Sequence, residues 1–277
     1  MKTKNNDKFR RHLPVYVGIL VLIFAMIYLV RACSDQRGAT MRFSRPEGDT
    51  LVVAIELSPL SYSMSADTAR GLDYEILTDL SRIHRIPMVF RPFSSLSEAY
   101  EGLEDGRYDI LVASLPTTAD LRRRLRLTDG VYLDKQVLVR RRSAVDSDSC
   151  VPFPQARLLG DTVWIPEGSP VRGRIDNLAR ESGGEIYVVE VPKATPEHLT
   201  ILTALGELRQ AVVNESVARH IAADYPDLDI STPLSFNQLQ SWAVAPGDSV
   251  LADSLDSWLG AFRETPKYKV LLKKYLE

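Results

Sequence analysis

Side chains placed to do covalent chemistry are sparse in this sequence. The four histidines, His12, His84, His198 and His220, are scattered and lack metal-ligand spacing. No Gly-x-Ser-x-Gly turn presents a nucleophilic serine, and no glycine-rich loop is built to cradle phosphate. The chemistry that remains is recognition without bond making. Leu103 to Tyr132 (LEDGRYDILVASLPTTADLRRRLRLTDGVY) reads as a helix end, a strand and a loop. Gly106 stops the helix, and Asp109 to Ser114 is the short apolar run of a strand buried on both faces. Leu115-Pro116-Thr117-Thr118 then lies at the C-terminal end of that strand, where open α/β sheets bind ligands. Ser114 and Thr117 are therefore candidate ligand contacts. Arg122, Arg123, Arg124 and Arg126 form a basic turn just beyond. Ser169 opens a later helix, where free amide donors suit an anion and where its hydroxyl equally suits a cap.

The surrounding elements must position these groups. Leu51 to Ile55 is a buried strand, and Ser58-Pro59-Leu60-Ser61-Tyr62 is its loop. Gly71-Leu72-Asp73 leads into a helix with Ile76, Leu77, Leu80 and Ile83 on one face. Pro87 to Phe90 is a second strand, and Ser95-x-x-Glu98 a capping box before a helix striped by Leu96, Ala99, Tyr100 and Leu103. This βαβαβ order implies a mostly parallel sheet with right-handed crossovers. After the strand Val137 to Val139 the chain turns polar and proline-bearing. A second α/β set begins at Thr162 to Ile165, continues through a helix with Val171, Ile175 and Leu178, and adds the strand Ile186 to Val191. A helix carrying Leu199, Leu202 and Leu205 leads to the strand Arg209 to Asn214. The chain returns to the first unit near Ser241-Trp242-Ala243-Val244. It ends in two amphipathic helices, one with Leu251, Leu255, Trp258, Leu259 and Phe262, the other with Tyr268, Leu271, Leu272 and Tyr275.

Of the 277 residues, 45% are hydrophobic and 25% charged, ordinary for a globular protein, and the net charge of -2 gives no reason to expect nucleic acid. Two cysteines, Cys33 and Cys150, do not make a disulfide framework. Lys2, Lys4, Lys8, Arg10 and Arg11 flank Leu13 to Val30, which carries no charge over 18 residues. That length just spans a bilayer and is long for a signal-peptide core. The basic flank holds residues 1–12 in the cytoplasm, 13–30 are expected to cross the inner membrane once, and the chain beyond Val30 faces the periplasm. A lipoprotein anchored at Cys33 is the alternative. Residues 31–49 read as a linker.

Six segments in this order, LVVAIELSPLSYSM, GLDYEIL, LEDGRYDILVASLPTT, VWIPEGSP, AVVNESVARHIAADYPDL and WAVAPGD, resemble bacterial solute-binding protein family 3. Within it they are most similar to the solute-binding half of the membrane-bound lytic murein transglycosylase F family. The resemblance covers about residues 50 to 277. It implies an α/β, two-lobed, periplasmic-binding-protein-like fold with hinge strands, here preceded by one N-terminal transmembrane helix. Lobe 1 is expected over 50–138 and 236–277, lobe 2 over 139–235, with a small solute between them and closure by a hinge.

The resemblance also assigns site residues. The family arginine that grips a ligand carboxylate falls at Leu121, with Arg122 one residue late, and the family threonine falls at Pro116. The second-lobe aspartate that holds an ammonium falls at Asn214. Ser169 matches the family's Gly-Ser helix start, and Tyr62 an aromatic that packs on ligand. With two charged anchors absent, three readings stand. The pocket takes another solute, such as a muropeptide; or it uses Arg122, Arg172 or Glu215 in an unusual geometry; or it has become an interaction module. The glutamate-serine pairs Glu181-Ser182 and Glu215-Ser216 lie inside the solute-binding region, and a transglycosylase catalytic domain would begin only at Glu277. The expectation is a protein that is not an enzyme, with no catalytic residue, metal or cofactor. It binds a muropeptide or amino-acid-like solute in a sensing or regulatory role. The alternatives are the binding component of an ABC importer with its permease, and a non-catalytic scaffold for a cell-wall hydrolase.

Overall fold

The computed structural model describes Met26 and residues 50–65, 67–142 and 158–276. Apart from Met26, the expected tail, anchor and linker, with Cys33, lie outside these residues, as do 143–157 with Cys150. Among the described residues no helix is long and apolar enough to cross a membrane. The chain divides into Met1–Ser44 and Arg45–Glu277, and both sheets belong to the second unit.

The first sheet holds β1 (Leu51–Glu56), β4 (Met88–Phe93), β5 (Ile110–Pro116), β6 (Arg126–Leu127), β7 (Tyr132–Asp134) and β13 (Gln238–Val244). Its order is β4-β1-β5-β13-β6, with β7 also paired to β13. The β1–β4 and β1–β5 pairs are parallel, and β13 returns antiparallel to β5. The crossovers are α1 (Leu72–His84) and α2 (Leu96–Glu104), and β2 (Ser63–Ser65) and β3 (Thr68–Arg70) form a small hairpin before α1. The second sheet holds β8 (Gln136–Arg141), β9 (Thr162–Pro166), β10 (Tyr187–Val191), β11 (Gln210–Asn214) and β12 (Leu228–Pro233) in the order β10-β9-β11-β8-β12. Here β9 runs parallel to β10 and β11, while β8 is antiparallel to β11 and β12. The chain crosses between the sheets from β7 to β8 and returns from β12 to β13.

Each sheet is covered on both faces, which explains why its central strands read as unbroken apolar runs. Val53, Ile55, Ile110 and Val112 pack under α1 and under α7 (Ser249–Arg263) and α8 (Pro266–Leu276), through Leu72, Ile76, Leu80, Leu255, Leu259 and Leu271. Ala54, Leu111, Ala113 and Leu115 face the other way, onto α2 and α3 (Ala119–Arg124). In the second sheet Val139 and Val213 pack on α5 (Pro196–Leu205) and α6 (Glu215–Ala222). Val163 and Val212 pack on α4 (Val171–Ser182). Burying each such valine, leucine or isoleucine stabilises by about 1.5–3 kcal/mol.

The predicted elements recur with shifted ends. The strand expected over Asp109–Ser114 runs on to Pro116, and the basic turn is helical over Ala119–Arg124 because Thr118 Oγ1 accepts the Leu121 N–H at 3.3 Å. Ser95 Oγ caps α2 by accepting the Glu98 N–H. Two stripe residues differ from expectation: Ile83 and Leu205 fall in the last turns of α1 and α5 and are exposed. Helix ends outrun the sheet they cover, so the periodic position there meets solvent.

Gly71 fixes how α1 meets the loop after β1. Its φ is +142°, and a Cβ there would fall on the Ser61 carbonyl oxygen. A backbone carbonyl cannot move aside as a side chain does. Gly71→Ala is expected to destabilise the protein by about 2 kcal/mol or more, read as a lower urea midpoint with an unchanged slope. A midpoint equal to wild type would show that this approach is not a constraint.

Candidate functional site

The site is built from strand ends. Glu56 closes β1 and is followed by the loop to Tyr62. The turn Thr117-Thr118 follows β5 and leads into α3. On the second lobe, the loop Glu167–Pro170 follows β9 and leads into α4, while Asn214 closes β11 directly before α6. These ends approach each other across the lobes. Lys193 Nζ lies 3.8 Å from Glu98 Oε1, and a Cβ on Gly173 would lie 3.9 Å from Asp120 Oδ2. At the crossing, Ser216 Oγ donates to Asp134 Oδ2 at 2.5 Å and the Ser216 N–H to Asp134 Oδ1 at 3.3 Å. The Asp134 carboxylate from β7 thus caps α6 of the other lobe. Val217, on that same helix, is buried in the first lobe's core.

The residues expected to bind ligand fall into different surroundings. Ser114 is buried, its Oγ 2.9 Å from Tyr132 OH. Thr117 Oγ1 donates to the Leu239 carbonyl at 3.0 Å and lies 2.9 Å from Ser241 Oγ, tying the loop to β13. Tyr62 is half-buried against the Tyr74 ring at 5.3 Å between centroids. Leu121 is buried in the cluster with Leu96, Leu103 and Leu115, so that position supplies core rather than a polar group. Arg122 is exposed. Its neighbours Arg123, Arg124 and Arg126 pair with Asp120, Glu104 and Asp253, whereas Arg122 has no side-chain partner among the described residues. Ser169 Oγ accepts the Val171 N–H at 3.5 Å. Arg172 is engaged by Asp176 and Glu190, each at 3.1 Å. Glu215 pairs with Lys135 and Arg219, each at 3.3 Å. Asn214 is buried; its Nδ2 makes no hydrogen bond of good geometry among the described residues, but its side-chain amide acts on the Asp134 carboxylate and helps hold it ionised.

Sequence reasoning passed over the most unusual group in the fold. Glu56 is buried, and its Oε2 has no hydrogen-bond partner among the described residues. Burial, and then the charge of Asp73, raise its carboxyl to about 8, although the Ser114 N–H pulls it back. Glu56 shares the sheet face of Ala54, toward α2, where the Tyr100 hydroxyl is likewise buried without a partner. Asp73 itself accepts Trp242 Nε1 at 2.9 Å and Ser61 Oγ at 2.7 Å. These bonds moderate the effect of burial, which lifts its carboxyl to about 6. The available signal was a glutamate ending the otherwise apolar run Leu51–Ile55, directly before the loop that the strand edge presents.

Among the described residues no group of three or more His, Cys, Asp or Glu side chains is placed to hold a metal ion. The buried Glu56 carboxyl has a pH signature. A carboxyl raised in the fold favours the folded state while protonated, and that contribution is lost as pH rises through the folded value. Between about 4.5 and 8 the unfolded chain holds fewer protons at this site than the native one. Glu56→Gln is therefore expected to gain stability over wild type on going from pH 5 to pH 8, on the order of a few kcal/mol. Urea midpoints at the two pH values measure it, and a difference that does not change with pH would contradict the buried, raised carboxyl.

Residues 50–277 match the model of the bacterial extracellular solute-binding proteins, family 3. The membrane-bound lytic murein transglycosylase F of Aeromonas salmonicida is 28% identical over 201 residues, 71% of this chain and 38% of the relative. The protein of the same name from Vibrio campbellii is 25% identical over 271 residues, 92% of this chain and 50% of the relative. The chain thus spans half or less of these two relatives. Among solved structures, an ancestral arginine-binding protein bound to arginine has a TM-score of 0.69 at 17% identity, covering 82% of this chain and 98% of that one. A putative L-cystine ABC transporter from Listeria monocytogenes has 0.69 at 14% identity, covering 82% and 96%. These likenesses show the two-lobed periplasmic-binding-protein fold. With the match running through every element of both sheets, the chain belongs to the bacterial extracellular solute-binding proteins, family 3.

Proposed function

We propose that this protein binds a small, amino-acid-like solute between its lobes, that the solute carries a cationic group, and that Glu56 receives that group. The observation that carries this reading is the partnerless, buried Glu56 Oε2 at the C-terminal edge of the first sheet. A buried acceptor left unpaired costs about 1–3 kcal/mol, more when charged, and a cationic donor removes that cost. Asn214, at the end of β11 and beside the Asp134 carboxylate, is the polar group nearest the site on the second-lobe side. Arg122, on the turn after β5, is suited to a solute carboxylate. Ser114, Thr117, Tyr62 and Ser169 complete the lining. Arg172, held by two carboxylates, contributes to the surface of α4. In this reading lobe 1 comprises 50–138 and 236–277 and lobe 2 comprises 139–235, the first boundary falling inside β8, whose pairing from Gln136 onward lies in the second sheet.

The similar structures are named for arginine and L-cystine, which supports an amino-acid-like solute. The apolar segment 13–30 supports a tether in the inner membrane, with the binding unit in the periplasm and a sensing or regulatory role. The protein acts by binding, without catalysis of its own. An importer component is the second reading, favoured by the ABC transporter likeness.

Binding of a cation requires Glu56 to be ionised. With the free carboxyl at about 8, affinity must rise by about tenfold per pH unit below that value and then level off. A thermal-shift titration of the full chain with L-arginine, L-lysine, L-glutamine and a muropeptide tests the proposal. The expected result is a shift with the cationic amino acids that grows from pH 6 to pH 8. Glu56→Gln should remove about 2–5 kcal/mol of binding, at least about a thirtyfold loss of affinity. A muropeptide-only shift, or a shift untouched by Glu56→Gln, would refute the cation assignment.

A further inference from the structure

A glycine of the second lobe is seated on a helix of the first. Gly168, in the loop between β9 and α4, lies against the N-terminal turn of α2. A Cβ placed on it would be 2.6 Å from Ser97 Oγ, 3.3 Å from Ser97 N and 3.5 Å from Ser97 Cα. The first is closer than real Cβ contacts come, although Ser97 Oγ can rotate aside; the second asks the backbone to give by a few tenths of an ångström, and the third is ordinary contact. The same seam carries the approach of Lys193 to Glu98, one residue along α2. That pair is exposed and contributes little by itself, but it marks the same line of contact. Ser97 lies three residues before Tyr100, on the same side of α2. Tyr100, whose hydroxyl is buried without a partner among the described residues, belongs to the same helix.

We propose that Gly168 sets how far the two lobes close: its lack of a side chain lets the β9–α4 loop seat on Ser97. This deepens the solute-binding reading and rests on it. Closure matters energetically because a charge pair sealed from water is much less screened than one at an open mouth. A competing local explanation exists for the glycine. Its φ is +74°, in the left-handed region, and the Ser169 N–H closes a turn onto the Pro166 carbonyl. A left-handed turn alone accommodates asparagine, whereas a seat on Ser97 does not. Bulk added from the other side of the seam, at Ser97, leaves the turn untouched altogether.

The experiment measures the distance between the lobes directly. In the full chain with Cys33→Ser and Cys150→Ser, spin labels at Glu101→Cys on α2 and Asn177→Cys on α4 report opening by pulsed dipolar spectroscopy, with and without L-arginine. Gly168→Asn and Ser97→Phe are each expected to lengthen the distance relative to the otherwise wild-type chain, with melting temperature unchanged. If binding competence requires closure, apparent affinity falls by the fraction of molecules still able to close. Unchanged distances in both variants would overturn the proposal, as would a lengthening confined to Gly168→Asn, which points to the turn alone. Should both variants open the lobes while L-arginine leaves every distance and melting temperature unaltered, closure at Gly168 stands and the cationic-solute reading falls.

Discussion

The carboxylate of Asp73 is the knot of the first lobe. It sits in the first turn of α1, fully buried, and takes one hydrogen bond from the loop after β1 through Ser61 and another from β13 through Trp242. Residues 61, 73 and 242 are thereby fixed to one another across most of the chain's length. The loop after the first strand, the helix it feeds and the strand by which the chain returns from the second lobe share one anchor. The arrangement explains why Gly71 is needed two residues earlier, where the helix start presses on the Ser61 carbonyl. It also reaches the site. A buried charge at Asp73 makes ionisation of Glu56 harder, and Glu56 ends its strand with an unsatisfied carboxyl oxygen. A positive group arriving beside Glu56 relieves both the unpaired acceptor and the repulsion between the carboxylates.

Much of the fold was legible in the chain because the strongest forces that shape it act through local, periodic patterns. Apolar runs bounded by turn residues marked the buried strands, and 3.6-residue stripes marked the helices covering them. The order of those elements, taken with six short segments at family-like spacing, carried the two-lobed architecture. Less was legible of the site. Leu121 stands where the resemblance expects an arginine, yet its burial among Leu96, Leu103 and Leu115 follows from α3 being a helix, and the sequence read that segment only as a basic turn. Arg172 is neutralised by Asp176 one turn away and by Glu190 on another strand, and only the first partner is visible in sequence. Glu56 was missed because a glutamate at a strand end usually faces water. Its isolation depends on Tyr100, Ser114 and Asp73, brought together from three other elements.

Selectivity in this scheme comes from unpaired groups as much as from paired ones. Glu56 lies at the end of a central strand of the first lobe, and among the described residues its Oε2 lacks the partner that the proposed solute cation would supply. A solute without a cation leaves Glu56 protonated, or charged and unsatisfied, and so loses affinity through what it fails to make. The hinge side is already committed, with Asp134 capping α6 and Val217 buried in the first lobe. In the proposed closure the lobes pivot about the crossing strands, while Gly168 and Ser97 meet across the seam between them.

The central claim is that Glu56 is a buried acid, protonated near neutral pH until a cation replaces its proton. The most direct measurement is a carbon-13 NMR titration of the glutamate side-chain carboxyls, with Glu56 assigned through Glu56→Gln, in the absence and presence of L-arginine. The expected result is a free carboxyl titrating at about 8 and a marked downward displacement when L-arginine is added. A Glu56 carboxyl that titrates in the ordinary glutamate range, or one that L-arginine leaves where it was, would contradict the claim.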